Sequence, residues 1–389
     1  MKIDYELFLA KLQANGMESG RAKAFVKRMK MAETMVPFDT AESRKAMYHG
    51  FVPDKVDAFG LNDGNYDLFL SDFDYHMMHP LNNHFKIWVN DKLTLKYMLS
   101  TSSLGHLMPK YYLYIENDGR YTYLMDMPDD VRRSRSCLLD LLRRERILAM
   151  KPNHGEGGAG FIRLEMNEDD LISVNGELIS EADFAQVEKK LNGYIVTEYI
   201  SQCDEFAKIW PSSECSLRVV MAKCPQNDMY APATFDNIIS YARFGASTSG
   251  VTSNLSQGGV AVPFDYEDGT LWDRGWTEGA SGSVNWNVRE HPNTGIAFKG
   301  LKIPQFDAVK KCVDDVCSYL SSLDYFGFDL MITNNQVYIC EINTLPGFDF
   351  EQSMWREILA TDPARAFYAS KRKAYPEGLL LRIVDECTA

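Results

Sequence analysis

Residues 151–161 read KPNHGEGGAGF. Gly155, Gly157 and Gly160 spell G-x-G-x-x-G, a pattern shared by dinucleotide-binding enzymes and protein kinases and weak by itself. The flanks decide between them. A dinucleotide fingerprint opens a helix whose N-terminus meets the pyrophosphate. Here Phe161-Ile162-Arg163-Leu164-Glu165 alternates as a strand, so a doubly wound fold is a poor reading. A kinase loop is followed by a Val-Ala-Ile-Lys strand and later by HRD and DFG; the chain has none of these, nor a Walker Gly-Lys-Ser/Thr. What remains is a glycine hairpin with Lys151 before it, at the end of a short apolar strand. Such a loop can lay backbone N–H groups over phosphates, because glycine lacks the Cβ that would block approach. The competing reading is a purely structural hairpin tip.

The 389 residues allow two or three packed units. Apolar content of 45% and charged content of 24% are those of an ordinary globular protein. No apolar run is long enough to cross a bilayer, and residues 1–13 read as an amphipathic helix, not a signal peptide. The eight cysteines are scattered, without a C-x-x-C pair or zinc-ligand spacing. Free thiols in a reducing cytoplasm are the expectation. A net charge of −13 excludes general nucleic-acid binding, so an anionic ligand must meet local positive charge.

Residues 1–88 are expected to be mainly helical, with a basic helix over 21–33 and an irregular connector over 51–80. This unit contributes either to substrate choice or to self-association into a homo-oligomer. Residues 89–205 form a first α+β unit. It has a helix after Asn90 or Asp91, a hairpin about Asn117-Asp118-Gly119, a helix over 131–146, the glycine hairpin and the strand GYIVTEYI. Residues 206–389 form a second α+β unit, with the strand SLRVVMAK, polar loops, a helix over 306–320 and a final hairpin over 326–347.

Three groups of residues in these units could carry chemistry. Glu341 and Asn343 lie two apart on one strand and share a face, and Asp329 lies on the strand before. Carboxylates with an amide oxygen are hard ligands suited to Mg²⁺ with nucleotide phosphates. An Asn334-Asn335 turn would set Asp329 opposite Cys340, whereas a three-residue turn through Gln336 sets it opposite Glu341; the metal reading predicts the odd-length turn. Glu198 and Glu205 are seven apart, near a backbone stretch able to meet a purine edge, although surface acids are the simpler reading. Arg218 and Arg243 sit within apolar strands, either as structural ion pairs or as anion clamps.

In chain order, Asp91-Lys92, Lys151-Pro152 before the glycines, Glu198, Glu205, Asp329, Glu341 and Asn343 resemble the ATP-grasp superfamily. The second half is similar to its sugar-transfer-associated family: Pro211-Ser212-Ser213 leading to Arg218, then Arg243-Phe244-Gly245, Gly258-Gly259, His291-Pro292-Asn293-Thr294-Gly295 and Phe298-Lys299-Gly300. The resemblance covers roughly residues 90–352. It implies two α+β subdomains that grip ATP, with an N-terminal helical extension. Lys92 and Lys151 would contact the nucleotide and its phosphates, under a lid containing Gly155, Gly157 and Gly158. Glu198, Tyr199 and Ile200 would form the adenine hinge, and Glu205 would hold the ribose. Asp329, Glu341 and Asn343 would bind Mg²⁺; Arg218, Lys151 and Arg243 would serve catalysis. The implied activity is a carboxylate–amine ligase acting through an acyl phosphate on small-molecule or sugar-linked acids. A phosphotransferase and a non-catalytic nucleotide-binding scaffold are the alternatives. Cys215-Ser216 stands where the narrower family tends to have Asn-Thr, and Ser253 replaces an acid before Asn254, departures that bear on substrate identity.

Overall fold

The computed structural model describes residues 2–154, 160–226, 228, 230–253, 255, 258–278, 284–348, 352 and 358–388. Two seven-stranded sheets organise them, and every neighbouring pair of strands is antiparallel. The first contains β1 (Tyr111–Ile115), β2 (Tyr121–Tyr123), β3 (Ile147–Pro152), β4 (Ile162–Met166), β5 (Ile172–Val174), β6 (Glu177–Ile179) and β7 (Tyr194–Glu198), in the order β2-β1-β7-β3-β4-β5-β6. The second contains β8 (Ser216–Lys223), β9 (Phe235–Phe244), β10 (Val260–Pro263), β11 (Gly275–Glu278), β12 (Val284–Val288), β13 (Tyr325–Ile332) and β14 (Val337–Asn343), in the order β12-β11-β10-β9-β8-β13-β14. The alternation after Lys151 therefore folds as the strand that it spells, and the architecture is the α+β one expected.

Each sheet is covered by an amphipathic helix. Leu138, Leu141 and Leu142 of the helix Cys137–Glu145 are buried in one core with Leu148, Met150 and Val196 of the first sheet. Val309, Val313 and Val316 of the helix Phe306–Tyr319 are buried with Phe328, Leu330 and Ile342 of the second. The helix expected over residues 131–146 starts only at Cys137. Ser134 and Ser136 share a hydroxyl contact of 3.0 Å, and Ser136 Oγ donates to Asp140 Oδ2 at 2.9 Å; such local bonds compete with helix formation.

The N-terminal helices Tyr5–Ala14, Ser19–Glu33 and Ala41–Tyr48 bury Phe8, Leu12, Phe25, Met29 and Met47. The C-terminal helix Leu379–Glu386 joins this cluster through Leu380, Ile383 and Val384. It thus packs with the first helices rather than with the second sheet, which displaces the expected grouping of residues 206–389. The connector over residues 51–80 contains the short helices Lys55–Phe59 and Asp72–Met77. It packs onto the second sheet by Leu70, Tyr75 and Met78, and the Tyr75 ring stacks on Phe348 at 3.7 Å.

Candidate active site

The hairpin of β13 and β14 sets the geometry. Thr333 N donates to Gln336 O at 2.9 Å, closing a two-residue Asn334-Asn335 turn. From it the register runs Ile332 with Val337, Met331 with Tyr338 and Leu330 with Ile339. Continued, this register would set Asp329 opposite Cys340. A bulge intervenes instead, and the pairs become Asp329 with Glu341, Phe328 with Ile342 and Gly327 with Asn343. Asp329 and Glu341 are therefore opposed as the metal reading required, but the odd-length turn expected to do this is absent. An extra residue in one strand has the same effect on register. On the other side of β13, Asp329 pairs with Arg218 of β8, and Arg243 of β9 pairs with Ser216 of β8.

Three cations and two carboxylates meet there. Asp329 Oδ1 lies 3.1 Å from Arg218 Nη1 and 2.6 Å from Arg243 Nη2. It is buried, and neither contact is aligned as a hydrogen bond. Arg243 Nε donates to Ser216 Oγ at 3.1 Å. With the Asn343 amide turned to suit its neighbours, its nitrogen donates to Glu341 Oε1 at 3.0 Å and its oxygen accepts from Arg218 Nη1 at 3.0 Å. Lys92 Nζ stands 3.7 Å from Glu341 Oε1. Burial pushes the Lys92 ammonium below its ordinary range and the Glu341 carboxyl above its own; the mutual attraction of the pair opposes both shifts. Asp329, Glu341 and Asn343 offer oxygen donors of the hard class that suits Mg²⁺, although Asp329 Oδ1 already faces two guanidinium groups. Among the described residues no three His, Cys, Asp or Glu side chains cluster closely enough to hold a metal, so the amide of Asn343 is part of any such set.

A second wall comes from the first sheet. Asp91 caps the helix Lys92–Ser100, accepting from Thr94 N at 2.7 Å. Asn153 ties that cap to the end of β3: its Nδ2 donates to Asp91 Oδ2 at 2.7 Å, and its Oδ1 accepts from Leu93 N at 3.3 Å. Lys92 and Lys151 are thereby held on one scaffold, and Lys151 Nζ donates to Cys340 O at 3.3 Å. Gly155, Gly157 and Gly158 lie outside the described residues. Gly160, where the chain re-enters β4, has φ +80°, and a Cβ there would stand 2.7 Å from Tyr194 Oη and 3.0 Å from Pro152 Cγ. His154 approaches Asp91 Oδ2 at 3.6 Å.

Between the walls is a cavity of about 890 Å³, ample for a nucleotide and a second ligand. Lys92, Lys151, Arg218, Arg243, Asp329, Glu341 and Asn343 all line it, and so do Glu198, Tyr199 and Ile200 at the end of β7. Glu198 Oε2 accepts from Lys110 N at 3.1 Å. Glu205 is placed differently: it is exposed on the helix Asp204–Ile209 and does not line the cavity. A second acid beside Glu198 on that wall is Glu214, which accepts from Tyr199 Oη at 2.8 Å and from Gln202 N at 2.6 Å. Burial pushes its carboxyl up. The sequence reading missed Glu214 and Asn153, since each acts through a long-range neighbour and neither stands in a periodic segment. Arg21, the first residue of the basic stretch expected over residues 21–33, lines the cavity as well.

The family model described as Sugar-transfer associated ATP-grasp matches residues 76–361. No curated protein matches the sequence. Among solved structures, a D-alanine–D-alanine ligase from Bacillus anthracis is similar at 14% identity, covering 77% of this chain and 67% of its own, with a TM-score of 0.34. The ATP-grasp ligase PsnB, complexed with a minimal precursor, Mg and ADP, is similar at 10% identity over 75% of this chain and 60% of its own, with a TM-score of 0.35. An N5-carboxyaminoimidazole ribonucleotide synthetase from Thermotoga maritima is similar at 13% identity over 70% of this chain and 49% of its own, with a TM-score of 0.32. These are distant likenesses, and the chain spans from about half to two thirds of the length of those proteins. The family match covers most of the sequence and includes every residue of the two walls except Arg21 and Tyr75; the chain belongs to the sugar-transfer associated ATP-grasp family.

Proposed function

We propose that the protein is an ATP-dependent carboxylate–amine ligase. The observation that carries this reading is the convergence, in one cavity, of Lys92, Lys151, Arg218 and Arg243 with Asp329, Glu341 and Asn343. Four cations suit a triphosphate. Two carboxylates and an amide suit a divalent metal, which when bound would offset charge on the transferring phosphoryl group. Tyr199 and Ile200 would present backbone groups to the adenine, and Glu198, anchored to Lys110 N, would hold that hinge in place. An oxygen of the acid attacks the γ-phosphorus and ADP leaves, giving an acyl phosphate. The amine nitrogen then attacks the acyl carbon, phosphate departs and the nitrogen loses a proton. Lys151, Arg218 and Arg243 are the residues available to stabilise the negative charge that accumulates in both steps. No covalent enzyme intermediate is needed. A reducing, cytoplasmic setting accords with eight free cysteines.

The test is ADP release with Mg²⁺ and a panel of carboxylic acids, with hydroxylamine as the nucleophile, so that an acyl phosphate is trapped as a hydroxamate. The ligase reading requires hydroxamate in step with ADP, and its loss in Glu341→Ala. Stable phosphorylated product without hydroxamate would instead identify a phosphotransferase. ATP binding with no acid-dependent ADP would leave a nucleotide-binding scaffold.

A further inference from the structure

The cavity does not end at the nucleotide wall. Its lining also takes in Thr344, Leu345, Gly347 and Phe348, which follow Asn343 in the chain, and Arg21, Tyr75 and His76 of the N-terminal unit. The junction is firm: Tyr75 stacks on Phe348, and its hydroxyl donates to Pro346 O at 3.4 Å. Arg21 and Tyr75 stand outside the segment that matches the family, and His76 is its first residue.

Arg21 differs from the other cations of the cavity. Lys92 faces Glu341, Lys151 donates to a carbonyl, and Arg218 and Arg243 share Asp329. The half-buried Arg21 guanidinium enters no ion pair and no side-chain hydrogen bond among the described residues. Glu18, one turn away, caps the helix by accepting from Arg21 N at 2.9 Å, and its carboxylate is attracted by the Arg21 charge without closing an ion pair with it. Beside Arg21, the buried His76 leaves Nδ1 without a hydrogen-bond partner. An arginine that lines a cavity and enters no ion pair is a site for an anion, which its guanidinium can hold with two parallel hydrogen bonds.

We propose that Arg21 determines substrate specificity by holding a second anionic group of the acid substrate, a carboxylate or a phosphate at the end remote from the one that reacts. The reacting carboxylate belongs at the γ-phosphate, among Lys151 and Arg218. Arg21, on a different element, is available to another part of the same molecule. The substrate class is therefore a dianionic acid. This inference rests on the ligase reading above.

The experiment compares matched acids in the hydroxylamine assay: acetate with succinate, propanoate with glutarate, and glycerate with 3-phosphoglycerate. The dianionic member of a pair is expected to have a KM at least tenfold lower, and the carboxylate and phosphate arms show which second anion is preferred. Arg21→Gln is expected to raise the KM of the preferred dianion tenfold or more, with a smaller effect on kcat, and to abolish the preference over the monoanion. Arg21→Lys should retain part of it. AMP-PNP·Mg²⁺ affinity, measured by calorimetry on each variant, should stay within twofold and reports that the fold is intact. Equal KM values for mono- and dianions, or an unchanged KM in Arg21→Gln, overturn the role of Arg21 and leave the ligase standing. No ADP release with any acid overturns both.

Discussion

Lys151 Nζ donates to the carbonyl oxygen of Cys340 at 3.3 Å, joining the last turn of β3 in the first sheet to the bulged position of β14 in the second. The bulge that opposes Asp329 to Glu341 also presents a carbonyl, and the lysine that precedes the glycines holds it. Lys151→Met should lower the rate of hydroxamate formation by about 10²–10³-fold, the usual cost of losing one aimed donor to developing charge. The stability cost should be only about 1 kcal/mol, for one hydrogen bond, read from urea unfolding. A rate within threefold of wild type would remove Lys151 from the catalytic set.

Asp329 and Glu341 already face cations of the protein, so a metal arriving alone must displace them. On the ligase reading proposed above, nucleotide phosphates would draw the same cations away. Mn²⁺, followed by electron paramagnetic resonance, is expected to bind on the order of tenfold or more tightly once AMP-PNP is present, within the usual range of coupling between sites. By reciprocity AMP-PNP must bind more tightly with Mn²⁺ by the same factor. Equal Mn²⁺ affinity with and without nucleotide would contradict the displacement picture.

Glu214 braces Tyr199 and the turn at Gln202, whereas Glu205 is exposed. Glu214→Gln is expected to weaken AMP-PNP binding about tenfold, the worth of a charged hydrogen-bond acceptor, and to do so more than Glu205→Gln. Calorimetric titration of the two variants side by side decides which acid serves the nucleotide.

Burial holds two histidines neutral: His76 is pushed down to about 4 and His79 to about 3. In the unfolded chain both take protons near pH 6.5, while the folded state refuses them. Stability is therefore full above pH 6.5 and falls as the pH drops through 6.5 toward 4. At pH 5 each histidine should have removed about 1–2 kcal/mol. Urea midpoints at pH 7.5 and 5.0 test this, and His79→Asn should flatten the dependence. The sign is opposite to that of a histidine that gains an acidic partner.

Gly160→Ala should destabilise by about 1–2 kcal/mol, because the residue has a positive φ and its new methyl would press on Tyr194 and Pro152. Thermal unfolding checks this. An unchanged midpoint would mean that the re-entry to β4 adjusts freely.

Much of the fold was legible locally. SLRVVMAK is β8 residue for residue, and the apolar stripe from Phe306 to Val316 lies along one helix. Both patterns come from burial on one face, which repeats along the chain and needs no distant partner to be read. The face shared by Asp329, Glu341 and Asn343 was legible too, but its cause was not: nothing in ITNNQVYICE marks Cys340 as the residue that bulges. Glu214 and Arg21 were illegible for another reason. Each owes its place to contacts between segments far apart in sequence, and an isolated Glu or Arg carries no trace of the wall that it will face.

The first strand-like residue and the last helix also meet: Ile3 bridges Thr388, and Asp4 N donates to Cys387 O at 2.8 Å. The first helix, Tyr5–Ala14, which packs against the helix that carries Arg21, is thus clasped by the far end of the sequence. The ion pairs beside this clasp, Lys11 with Glu386 and Arg44 with Asp385, have side chains 32–47% exposed and contribute little. Apolar contacts of Phe8, Ile383 and Val384 therefore hold it, and high salt should leave it closed. Trimming residues 379–388 would open it. The two sheets would stay in place, and the helix that carries Arg21 would lose a packing partner.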